Sequence, residues 1–71
     1  MREYVVIFEK GTRNWSAYVP DLPGCVATGK TRKLLEKSIR EAIEFHIEGL
    51  IAEGMDVPPP NVEAGKIAVA A

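Results

Sequence analysis

Few side chains in this sequence are equipped for chemistry. Cys25 and His46 are its single cysteine and single histidine, so they form the one Cys–His combination available to a nucleophilic mechanism. A reactive thiolate needs an electropositive, accessible setting. Cys25 follows a Pro-Gly turn at the start of a strand, and His46 sits mid-helix on the apolar arc. The expectation is a small buried thiol and a core or interface histidine. Two-metal phosphodiester cleavage needs several carboxylates converging on one point. The run Tyr4–Phe8 carries none, Glu3 and Glu9 lie at its ends, and Asp21 and Asp56 fall in loops. One Cys and one His also fall short of a four-ligand zinc site within one chain. No catalytic, metal or cofactor site is therefore expected. Gly24-x-x-x-x-Gly29-Lys30-Thr31 has the spelling of a phosphate-binding loop. A true one follows a parallel strand and contains no strand, whereas Cys25–Thr28 reads as a strand of its own.

What remains are residues suited to contact. Glu41, Glu44 and Glu48 cluster on one side of a helix, either as a solvated charged face or as an acidic patch complementary to a basic partner. Trp15 is the largest apolar side chain and is either core or an interface anchor. Asp21 lies in Pro20-Asp21-Leu22-Pro23-Gly24, either a rigid strand connection or a contact loop carried by the scaffold.

The elements that must position these residues follow from pattern. Tyr4-Val5-Val6-Ile7-Phe8 is β-branched and aromatic, a strand signature. Both of its faces are apolar, which predicts a strand that is central or covered on both sides. Lys10–Asn14 reads as a hairpin loop. Trp15–Val19 resumes strand chemistry, with Trp15, Ala17 and Val19 on one face and Ser16 and Tyr18 on the other. Pro20 and Pro23-Gly24 break the pattern, and Cys25–Gly29 reads as a third, shorter strand. Thr31 is a suitable N-cap. Leu35, Ile39, Ala42, Ile43, His46, Ile47 and Leu50 then fall in one arc of a helix spanning about 31–53, stopped by Gly54. Met55–Pro60 is a Pro-rich connector, and Ile67-Ala68-Val69 is a candidate last strand. The expected fold class is α+β: a small antiparallel sheet of three to four strands with one long helix on one face, in the order β-β-β-α-β.

On these residues the chain resembles HicB-like antitoxin domains. The resemblance is carried by Trp15-Ser16-Ala17-Tyr18-Val19-Pro20-Asp21-Leu22-Pro23-Gly24-Cys25, by Gly29-Lys30-Thr31 opening the helix, by Glu41-Ala42-Ile43-Glu44 within it, and by Gly54–Pro60 after it. It covers about residues 3–62. Where the family usually has Glu-Ala early in the helix this chain has Lys33-Leu34-Leu35-Glu36, and His46 stands where an aromatic is common. The resemblance implies a sheet like a truncated ribonuclease H fold. It also implies an antitoxin that binds and masks a HicA-type toxin, a small protein that cleaves RNA. Members often carry a separate DNA-binding domain after this one. Residues 1–71 read as a single HicB-like domain with no room for that addition, so direct DNA binding is not expected.

Composition bounds the partners. The 71 residues allow one domain, and 9 basic against 10 acidic residues give a net charge of −1. That is unlike the basic footprint of a nucleic-acid binder. The apolar run Tyr4–Phe8, which none exceeds, is far short of the roughly 18 residues of a membrane span. Met1-Arg2-Glu3 leads straight into a strand without a signal peptide, and a lone Cys suits a reducing compartment, so the expected location is cytoplasmic. A core this small is marginal, and self-association is the usual remedy where disulfides and metals are absent. The expectation is a non-enzymatic binding module without cofactor, a homodimer or larger, acting as an antitoxin. The alternative is an orphan domain of the same fold that binds another protein or a small ligand and has no cognate toxin.

Overall fold

The computed structural model describes residues 2–71. Three strands, β1 (Ile7–Lys10), β2 (Trp15–Tyr18) and β3 (Val26–Gly29), precede one helix, α1 (Arg32–Ala52). The strands form an antiparallel meander in the order β1-β2-β3. The register sets Phe8, Ala17 and Ala27 in one row across the sheet, and Ile7, Tyr18 and Val26 in the next. Because alternate residues point to opposite faces, the first row lies under the helix and the second on the far face. The α+β class and the single long helix are as expected.

Two expectations need correction. The strand predicted at Tyr4–Phe8 joins the ladder only from Ile7 and runs on to Lys10. The reason lies in the neighbouring strand. Continuing the register sets Val6 opposite Val19 and Val5 opposite Pro20, whose nitrogen carries no hydrogen to donate. The same strand was expected to be central or covered on both faces, yet β1 is an edge, and Tyr4 through Phe8 are all only half-buried. The second correction concerns the last strand. Ile67-Ala68-Val69 joins no sheet, and residues 59–71 are exposed throughout.

The core is Ala17, Val19, Leu22, Cys25, Leu35 and Ile39. Leu22 comes from the connection between β2 and β3, not from an element. The loop folds inward because its backbone is closed on itself: Leu22 N–H donates to the Val19 carbonyl, Cys25 N–H to the Leu22 carbonyl, and Val19 N–H to the Cys25 carbonyl, at 3.0, 3.0 and 3.1 Å. Those bonds satisfy buried backbone groups and leave the Leu22 side chain fully enclosed.

The helix is bounded as its sequence dictates. The Thr31 hydroxyl accepts from Leu34 N–H at 3.1 Å, satisfying one of the free amides of the first turn. At the other end Met55 N–H bonds the Leu50 carbonyl and Gly54 N–H the Ile51 carbonyl. Together with the positive φ of Gly54 (71°) this is a Schellman ending. Gly29 lets the helix approach the sheet, since a Cβ there would stand 3.2 Å from the Leu35 Cβ. The glycine and threonine of the phosphate-loop spelling are thus employed in helix packing and capping, with β3 inside the span.

Candidate protein-binding surface

The helix packs over β3 and β2 and leaves β1 at the margin. Burial fades along it accordingly: Leu35 and Ile39 are buried, while Ile43, Ile47 and Leu50 are half-buried. Between the helix and the N-terminal segment runs an open trough of about 860 Å³. Its walls are Tyr4, Val6 and Phe8 on one side and Ile39, Ile43 and Ile47 on the other, with Arg2, Glu3, Glu36, Arg40 and Glu44 around the rim. The Arg32 guanidinium lies 4.5 Å from the Phe8 ring centroid, a cation–π contact.

The residues singled out from sequence do not converge on one site. Trp15 is half-buried and packs against the core cluster. It stands opposite Lys10 and Gly29 at the end of the sheet where the helix begins. Asp21 is half-buried and employed within the fold, its Oδ2 accepting from the backbone amides of Asn61 and Val62, each at 3.0 Å. Glu41, Glu44 and Glu48 are exposed on the helix. Among them sits Phe45, 78% exposed. One helix turn separates Glu41 from Phe45 and Phe45 from Glu48, so an aromatic ring stands in water between two carboxylates. The apolar arc does not include Phe45, so the periodicity passes over it. The available signal is an aromatic on the polar side of an amphipathic helix.

The remaining candidates have structural settings. Cys25 is buried, and burial pushes its thiol up from the ordinary value of 9.0, the opposite of what activates a nucleophile. His46 is half-buried on the helix. Among the described residues there is no group of three or more His, Cys, Asp or Glu placed to hold a metal ion. No helix among them is long and apolar enough to cross a membrane.

A three-stranded meander under one helix, with exposed apolar and acidic surfaces, defines a small α+β module. The family profile described as HicB-like antitoxin of bacterial toxin-antitoxin systems matches residues 4–68, and the chain belongs to that family. It is 39% identical over 62 residues to a UPF0150 protein of Thermoplasma acidophilum, covering 86% of this chain and 90% of that one. With a UPF0150 protein of Synechocystis it shares 43% identity over 60 residues, 83% of this chain and 76% of the other. An uncharacterized 14.9 kDa protein from the rep-hol intergenic region of Haemophilus phage HP1 is 36% identical over 58 residues. That match takes in 82% of this chain but only 44% of the phage protein. No solved structure matches.

Proposed function

We propose that this chain is an antitoxin that works by binding, without catalysis and without a cofactor, and that it masks a HicA-type RNA-cleaving toxin in the cytoplasm. Family membership supports the antitoxin role. The observation that carries the binding reading is Phe45, largely exposed between Glu41 and Glu48. An RNA-cleaving partner presents a basic surface to its substrate. Carboxylates steer and orient such a surface, while a central aromatic ring supplies the apolar area that dominates interface energies. Glu44 extends the acidic stripe toward the trough. Trp15 and Asp21 support this surface indirectly, one by packing the helix start and the other by pinning the connector.

The test uses a toxin sought in the neighbouring gene, where a cognate would be recognised as a short basic polypeptide with a catalytic histidine. Calorimetric titration of the two chains should give tight binding. Phe45→Ala should weaken it by about 10- to 100-fold, the range of a hot-spot aromatic. Glu41→Lys with Glu48→Lys should lower the association rate and its salt dependence. Unchanged affinity in Phe45→Ala would remove this face from the interface.

A further inference from the structure

We propose that residues 66–70 of one copy add as a strand to the free edge of the Tyr4–Phe8 segment of a second copy, seating Ile67 and Val69 in the trough between that segment and α1. Two copies exchanging arms in this way form a closed two-fold dimer.

Both halves of the contact are exposed in the single chain. The receiving segment is apolar on both faces yet only half-buried, and it lies at an edge of the sheet. Tyr4-Val5-Val6 precede β1 without a ladder partner. Such an edge is a template for another strand. The arm offers Ile67 and Val69, 87% and 77% exposed, alternating with Ala68 and Ala70. That is a period of two, bulky on one side and small on the other, with no proline to spoil a ladder. The family match runs to residue 68 and so takes in Lys66, Ile67 and Ala68 of the arm.

The dimensions fit. Ile39, Ile43 and Ile47 on the trough wall repeat every four helical residues, about 6 Å. Ile67 and Val69 are two strand residues apart, about 6.7 Å. Each arm side chain therefore meets one step of the isoleucine row, opposite Val6 and Phe8. Lys66 enters beside a rim that includes Glu3, Glu36 and Glu44, along with Arg2 and Arg40. The arm's own trough does not hold it: its root is fixed where Asp21 binds Asn61 and Val62, and beyond that point it lies exposed. A second copy is the occupant that carries this segment.

The test needs no toxin, so its outcome is separable from the function proposed above. In sedimentation equilibrium the full chain should run at twice 7.8 kDa. Ile67→Asp with Val69→Asp should return it to 7.8 kDa with its helical circular dichroism intact, because neither side chain touches the core. In a Cys25→Ala background, Ala68→Cys paired with Val5→Cys or Ile7→Cys should oxidise to a covalent dimer on a non-reducing gel. A monomeric wild-type chain, a dimer that survives the arm substitutions, or a disulfide closing within one chain would each overturn the proposal.

Discussion

The Tyr4 hydroxyl donates to the Pro58 carbonyl at 2.5 Å, joining the segment ahead of β1 to the connector 54 residues later. This bond ties the Pro-rich connector to the segment ahead of β1, and the pair accepted by Asp21 ties Asn61 and Val62, just beyond the connector, to the loop between β2 and β3. They hold the connector across the end of the molecule where the ladder between β1 and β2 has already stopped. Tyr4→Phe keeps the ring in the trough wall and removes only the tie. It should cost about 0.5–1.5 kcal/mol, a drop of about 2–12 °C in melting temperature for a domain of this size. Hydrogen exchange at the Asn61 and Val62 amides should rise at the same time. An unchanged melt with unchanged exchange would show that the connector is held without this bond.

Leu22 carries the second prediction. It lies in a loop between two prolines, yet it is as fully enclosed as Leu35 on the helix. Leu22→Ala should therefore behave as a core truncation and cost about 2–5 kcal/mol, comparable to Leu35→Ala. Chemical denaturation of the two variants side by side checks this. A loss under about 0.5 kcal/mol for Leu22→Ala, within the range of ordinary surface changes, would mean that the loop is a passive connection.

Leu22 also marks where sequence reasoning stops. Helix α1 was legible almost to the residue, because apolar spacing, the Thr31 cap and the Gly54 stop all agree. Strands β2 and β3 were legible to within one residue at one end, and β1 as an element but not in its bounds. Tyr4-Val5-Val6 has the composition of a strand, and only the position of Pro20 on the neighbouring chain segment, a non-local fact, keeps it out of the ladder. Leu22 sits among turn residues, and its burial depends on three backbone bonds that close the loop inward. Ile67-Ala68-Val69 has strand chemistry, but a strand requires an edge to pair with, which a local pattern does not supply. Of the candidate contact residues, Glu41, Glu44 and Glu48 were legible as an exposed face. Asp21 was not legible as an internal acceptor, since its partners lie 40 and 41 residues away.

Cys25 gives a pH dependence whose sign follows from its burial. Its thiol is pushed above the ordinary value of 9.0 in the folded chain by desolvation. Below 9.0 the thiol is protonated in both states and this contribution to stability is fully present. Above it the unfolded chain loses the proton first, so stability should fall as pH rises from about 9 through the folded value. Cys25→Ala lacks the group and should show a shallower decline than the wild type between pH 8.5 and 10.5. Parallel denaturation curves for the two proteins across that range would remove the thiol from the alkaline loss. Thiol-reactive reagent should label the native chain slowly and the unfolded chain fast.

This module is proposed to act by occupying a toxin. The direct measurement is RNA cleavage by a HicA-type toxin, titrated with this chain at toxin concentrations well above the dissociation constant. Masking by binding predicts a linear fall in cleavage to zero at one chain per toxin, with the breakpoint unchanged when the RNA concentration is raised several-fold. Full cleavage persisting at and beyond equimolar chain would contradict it.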